Sequence, residues 1–359
     1  RALDGLMLNN RACSRREVMR LCGGVGVATL SGCLRLTGEA ENTEQDVETG
    51  EDTASTIWRV NKGSKMRSSP AVIGSTLYVG SNDGNVYAID ISDGSEQWTF
   101  NTGGGIRSSP VVVDETLYIG SKDERVYAVD TTDGSQQWSF RTGGEVTSSP
   151  AVADGTVYVG SADEAIYALD ANEGTQQWSF QTNDAIQFSA AVGNGTVYIG
   201  SYDEHIYALN AATGSEQWSF ETMGEVTSAA ALRDRVIYFG SEDWNIYALD
   251  TADGTERWRY QTNGEIDSRP TVSGDTVYVG SRDQNVYALD SDSGTQQWSF
   301  ETSSDVTSGP VTVGSTVYIA GQDNTVYAVD AEDGTQQWTY ETESAMVHSS
   351  PAAVDEVLY

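Results

Sequence analysis

The residues that could do chemistry fall at a few fixed places in a recurring pattern. Just before each predicted inner strand the sequence reads Arg67, Arg107, Thr147, Gln187, Thr227, Asp267, Thr307 and His348. Arg67, Arg107 and His348, with Lys65 beside them, make a basic sector suited to an anionic group. Asp267, Glu265 and Glu225 lie across from it, and Arg269 stands where Ser, Gly or Ala is usual. A second departure is aromatic: Phe188 replaces the usual Ser, Tyr202 and His205 share one turn, and Trp244 sits in the next. Rings at an exposed turn would anchor a peptide or a glycan. A third set is regular, with Asp83, Asp123, Asp163, Asp203, Asp243, Asp283 and Asp323 at one site per unit. One carboxylate per unit is too few for a calcium cage. An Asp in such a turn instead bonds local backbone N–H groups. These are binding and structural groups, and the pattern assigns no catalytic or metal-ligating residue.

The elements that must position them repeat every 40 residues. Trp58, Trp98, Trp138, Trp178, Trp218, Trp258, Trp298 and Trp338 mark the period. One unit reads Arg67-Ser-Ser-Pro-Ala-Val, Thr76-Leu-Tyr-Val-Gly-Ser, Asn85-Val-Tyr-Ala-Ile-Asp and Glu96-Gln-Trp-Thr-Phe. Each segment is short, rich in β-branched and aromatic residues, and bounded by Gly, Asp, Asn or Ser. Four short strands in such a unit make one blade of an all-β propeller. Seven whole units run to Tyr340. Ile57-Trp58-Arg59-Val60 reads as a lone fourth strand, His348-Ser-Ser-Pro-Ala-Ala as a first strand and Val357-Leu-Tyr359 as the start of a second. Joining these ends predicts an eighth, composite blade that seals the ring and removes open edges. The last unit stops in mid-strand, so the chain reads as a fragment short of a full blade. Because strand direction alternates, the turns before the first strand and between the second and third share one face. All the departures above therefore gather at the channel mouth.

Ala88-x-Asp90-x-x-x-Gly94-x-x-x-Trp98 recurs in every full unit, with Asn210 alone replacing the Asp. It resembles the tryptophan-docking motif of PQQ-like repeat propellers, the family of the quinoprotein dehydrogenases. That family also includes the propeller lipoprotein of the outer-membrane β-barrel assembly machine. The resemblance implies indoles stacked on neighbouring blades and a tight turn permitted by each Gly. A Trp→Ala change at one such site is expected to cost about 3–5 kcal/mol. For a quinoprotein it would also imply quinone and a divalent metal over the channel, with a catalytic carboxylate. Those features do not carry over. The repeat region contains no Cys, and its loops keep the common spacing apart from one extra residue near Ala345. No cofactor is therefore expected; PQQ with calcium, in an oxidoreductase, is the alternative. Asn194-Gly195-Thr196 could be a glycosylation sequon, but Asn-Gly more simply makes a hairpin turn.

Residues 1–33 are of another kind. Arg15 and Arg16 lie in Ser-Arg-Arg-Glu-Val-Met-Arg, followed by a weakly apolar stretch too short to span a bilayer. Leu30-Ser31-Gly32-Cys33 resembles the lipobox of secreted lipoproteins, which predicts twin-arginine export and lipidation of Cys33. Residues 34–56 read as an acidic tether and 57–359 as the propeller. Cleavage before Cys33 removes Arg1, Arg11, Arg15, Arg16 and Arg20 against Asp4 and Glu17, deepening a net charge of −33. Such a field repels nucleic acid and anionic headgroups. It suits a halophile-type surface hydrated in strong salt. Membrane contact is then expected only through the lipid, at the outer face of the cytoplasmic membrane. The reading is a monomeric, non-catalytic scaffold for a protein or peptide partner at the cell envelope, with surface glycan binding as a further alternative.

Overall fold

The computed structural model describes residues 34–37, 53–342, 349–354 and 357–359. The repeat becomes seven blades, each of four consecutive antiparallel strands. In the third blade these are Ala151–Ala153, Thr156–Gly160, Ala165–Asp170 and Gln176–Gln181. The short first strands neighbour one another around the centre. The second and third strands are almost wholly buried, because neighbouring blades cover both of their faces. The fourth strand alternates, with Trp178 buried between exposed polar residues.

The indole seam explains the spacing of the motif. Pairing of the third and fourth strands shifts register after Ala168↔Trp178, so that Leu169 faces Gln176. This bulge bends the strand and re-aims the indole across the seam. Trp138 Nε1 then donates to the Ala171 carbonyl of the next blade at 2.8 Å, and the same bond recurs from Trp58 to Trp298 at 2.7–3.1 Å. Under each indole lies the motif glycine of the next blade. Gly174 has φ +68°, and a Cβ there would sit 2.5 Å from Trp138 Cδ2. Glycine is thus required both for the turn and for the close approach. The motif Asp caps that turn: Asp170 Oδ1 accepts from the Asn172 and Glu173 N–H groups. Asn210 does the same with its amide oxygen, accepting from Ala212 and Thr213.

The expected eight blades are corrected to seven. Ile57–Val60 is not a strand; Trp58 is turned instead onto Gly94 of the first blade. What lies between the seventh and first blades is a sheet of another composition. Its order is Thr53–Thr56, Leu34–Thr37, Val357–Leu358 and Ala353–Val354. Two of its strands thus come from the stretch read as a tether, and two are only two residues long. This sheet still bridges the gap. Ser350 N donates to Ser69 Oγ at 2.9 Å, and Gly309 N donates to Ser350 Oγ at 2.8 Å. The chain of such bonds continues from Ser69 to Ser109, Ser149 and Ser189. Among the described residues, no helix is long and apolar enough to cross a membrane.

Candidate functional site

The period arithmetic brings five of the candidate binding residues together, in a cavity that Asp267 also lines. Arg67, Arg107, Arg269, Phe188 and Tyr202 all line one cavity of about 320 Å³ at the channel mouth. Trp244, Lys65 and His205 do not line it. Lys65 and Trp244 are exposed on the same face. The His205 ring instead lies on Tyr207, at 5.7 Å and 25°, with Nδ1 2.8 Å from the Asp203 carbonyl oxygen. His348, Cys33, Arg15 and Arg16 lie outside the described residues.

The mouth is electrically divided. Its acidic side holds Glu242, Glu265 and Asp267, whose carboxylates gather within 4.8 Å. Arg282 sits among them, 2.8 Å from Glu265 and 2.6 Å from Asp267. Burial, together with Glu225, Glu265 and Asp267, pushes the Glu242 carboxyl above its usual range. Burial and the charges of Glu225, Glu242, Asp267 and Asp184 push the Tyr202 hydroxyl up to about 12, so it stays protonated. Phe188 meets the Tyr202 ring at 6.2 Å. In other blades the Phe188 position is a buried Ser, such as Ser148, which accepts from the Gly160 N–H.

The cations Arg67, Arg107 and Arg269 differ from Arg282. None has an ion pair or side-chain hydrogen bond among the described residues, and Arg67 Nε is closed off without an acceptor. Arg269 occupies the ring position that Ser69, Ser109, Ser149 and Ser189 fill elsewhere. Its neighbours in the ring are Ala229 and Gly309, the small residues that leave it room. A Cβ at Gly309 would lie 3.3 Å from Arg269 Cβ. The surrounding protein lowers the Arg269 guanidinium pKa from its ordinary value.

The repeated aspartates are structural, as their turn context suggests. Asp203 Oδ2 accepts from Tyr207 Oη at 2.7 Å and from the Asn183 N–H of the preceding blade at 2.9 Å. Burial and the bonded carboxylate push the Tyr87 and Tyr167 hydroxyls up to about 12. Asn194-Gly195 is a two-residue hairpin turn with φ of 52° and 74°.

Calcium does not fit the acidic side as built. Two of its three carboxylates are bonded to Arg282, so an ion would have to displace a guanidinium.

Sequence reasoning missed three residues. Glu242 and Arg282 stand in the same turn column as Tyr202, where other blades carry Asn82, Lys122, Ala162 and Gln322. Met223 is 79% exposed and Trp244 46% exposed. They come from adjoining blades, and the Met223 N–H donates to Asp243, next to Trp244, at 3.0 Å. Met223 could have been found as an apolar residue where other units have Gly103, Gly143, Asn183, Asn263 and Ser303.

The fold has known counterparts. Residues 153–359 match the family described as the beta-alanine-activating enzyme, beta-propeller. The chain belongs to this propeller family. Residues 43–147 and 104–190 match the family of outer membrane protein assembly factor BamB. BamB from Moraxella catarrhalis superposes with a TM-score of 0.71 at 20% identity, over 82% of this chain and 96% of that one. The computationally designed Ika8 protein gives 0.74 at 18% identity, over 81% and 91%. Quinohemoprotein alcohol dehydrogenase from Comamonas testosteroni gives 0.72 at 16%, over 80% of this chain and 68% of the enzyme. At these identities the likeness is one of fold, a PQQ-like repeat propeller resembling BamB. No curated protein matches the chain.

Proposed function

We propose that this propeller is an exported, non-catalytic binding scaffold, tethered by lipid on Cys33, that docks a protein segment on its mouth face. The observation that carries the reading is the apolar pair Met223 and Trp244, both exposed where two adjoining blades meet on a strongly acidic protein. Trp244 also has φ +72°, a left-handed backbone that costs a non-glycine residue about 1–2 kcal/mol. That backbone belongs to the repeat, since Glu124, Glu164, Glu204, Gln284 and Asn324 hold the same turn position at φ 67–71° and Gly84 at φ +87°. What sets Trp244 apart is an indole, 46% exposed, where the other blades carry Gly, Glu, Gln or Asn, and a large ring left in water is an anchor for something outside the chain. The occupied acidic cluster beside the channel supports binding rather than metal-assisted oxidation. The family resemblance to an assembly factor agrees with an envelope partner.

The test is recovery of partners from solubilised envelopes, in high salt, on immobilised protein. Trp244→Gly with Met223→Ser keeps the turn and removes the anchor. Its specific partner is expected to be lost, while Asn194→Asp on the opposite face retains it. Equal recovery by both variants overturns the reading.

A further inference from the structure

The charge balance of the channel is uneven in a way the docking reading does not use. On the acidic side, Glu265 and Asp267 already have their counter-cation in Arg282. Arg67, Arg107 and Arg269 line the same cavity and have no anion among the described residues. In a chain of net charge −33, three cations without an ion pair among the described residues, in a cavity that Glu242 and Asp267 also line, are unusual company. Arg107 and Arg269 are open to the solvent of the channel and Arg67 Nε is buried, so an anion entering the cavity would meet three guanidinium groups with no competing partner.

The walls are arranged to keep that space open. Arg269 enters from the sixth blade, at a ring position where serine closes the hydrogen-bonded chain in four blades. Ala229 and Gly309 on either side lack the hydroxyl that accepts in that chain, although the Gly309 N–H still donates to Ser350 Oγ. Thr147 Oγ1, in the third blade, and Arg67 Nε, in the first, are buried without a partner in this same wall. Buried donors of this kind are rare enough to call for an explanation.

We propose that the channel mouth binds a small multivalent oxyanion, a polycarboxylate or a phosphate, between Arg67, Arg107 and Arg269. More than one negative charge is required, because Arg67 and Arg107 come from adjacent blades and Arg269 from well around the ring. Guanidinium groups pair with carboxylate and phosphate oxygens in two-pronged fashion. A volume of about 320 Å³ suits a small molecule. Tyr202, protonated, and Gln187 offer neutral polar groups on the same wall. The Glu242 side would repel a misplaced anion and orient the ligand toward the arginines.

Citrate and inorganic phosphate are the probes, titrated calorimetrically at constant ionic strength set with chloride, since screening alone shifts weak anion binding. Saturable binding of either anion is expected, with citrate alone marking a carboxylate site and phosphate alone a phosphate site. Arg269→Gln, and separately Arg67→Gln with Arg107→Gln, are expected to weaken binding at least about 10-fold. Arg269→Lys keeps the charge and is expected to lose less. Arg141→Gln, on the outer surface beside Glu124, is expected to change nothing. Circular dichroism in chloride alone confirms that each variant is folded. No saturable binding of either anion, or binding that survives all the channel substitutions, overturns the proposal. If that happens while Trp244-dependent partner recovery holds, only the anion site falls and the docking face stands.

Discussion

Three glycines separate the two reasons a glycine is needed at a blade seam. Gly174 has φ +68°, and an added Cβ would sit 2.5 and 2.6 Å from Trp138 Cδ2 and Cε3. Gly155 has nearly the same backbone, φ +73°, but nothing lies within 4 Å of its would-be Cβ. Gly160 has no left-handed backbone, yet its Cβ would collide with Ile186. Gly155→Ala therefore measures backbone strain alone, about 1–2 kcal/mol. Gly160→Ala measures overpacking alone, about 1–3 kcal/mol. Gly174→Ala carries both, because the indole is fixed by its bond to Ala171 and cannot swing aside. Its expected cost is about 2–5 kcal/mol, the sum of the two. Guanidinium unfolding followed by tryptophan fluorescence, in high salt and at a common m-value, reads all three. If Gly174→Ala costs no more than Gly155→Ala, the indole does not lie on that turn and the seam as described is wrong.

Other expectations follow from the electrostatics and the export signal. Tyr87 and Tyr167 have folded pKa values raised to about 12 by burial and by Asp83 and Asp163. Their stabilisation is complete below pH 10 and is lost as pH rises through about 12. Tyrosinate absorbance should therefore rise together with loss of the β-sheet signal, and titration near pH 10 in an intact fold would contradict this. The Glu242 carboxyl is also raised, by burial and its acidic neighbours, so its charged form opposes folding at neutral pH. Glu242→Gln is expected to raise stability by about 0.5 kcal/mol in dilute buffer, a gain that shrinks in 1 M salt. Cys33→Ala is expected to abolish incorporation of labelled fatty acid and release the protein from membranes. Label retained in that variant would remove the lipid anchor from the account.

Much of the fold was legible because the repeat is strict. Trp138, Gly174 and Asp170 recur at fixed spacing since each performs one geometric task per blade, and any slip would misplace an indole. The channel mouth was legible for the same reason: equal periods carry Arg67 and Arg107 to one height in the ring and set Arg269 two residues further on, in the column of Ser69. Closure was not legible, because Leu34–Thr37 and Thr53–Thr56 carry no copy of the motif. Leu34–Thr37 pairs with Val357–Leu358 near the other chain end, a long-range contact that leaves no periodic trace. His205 was misplaced for a local reason. Residues i and i+2 of a strand share a face, so its ring lies on Tyr207 rather than beside Tyr202. Glu242 and Arg282 stand in a column where the blades already differ, so neither breaks a pattern, whereas Met223 is apolar in a column of Gly, Asn and Ser and was open to being found.

The most direct measurement is photo-crosslinking in intact cells from a reactive side chain placed at position 244, with position 194 on the opposite face as control. Docking on the mouth predicts a discrete adduct from position 244 and none from 194. Adducts from 194 alone, or equally from both, would contradict it.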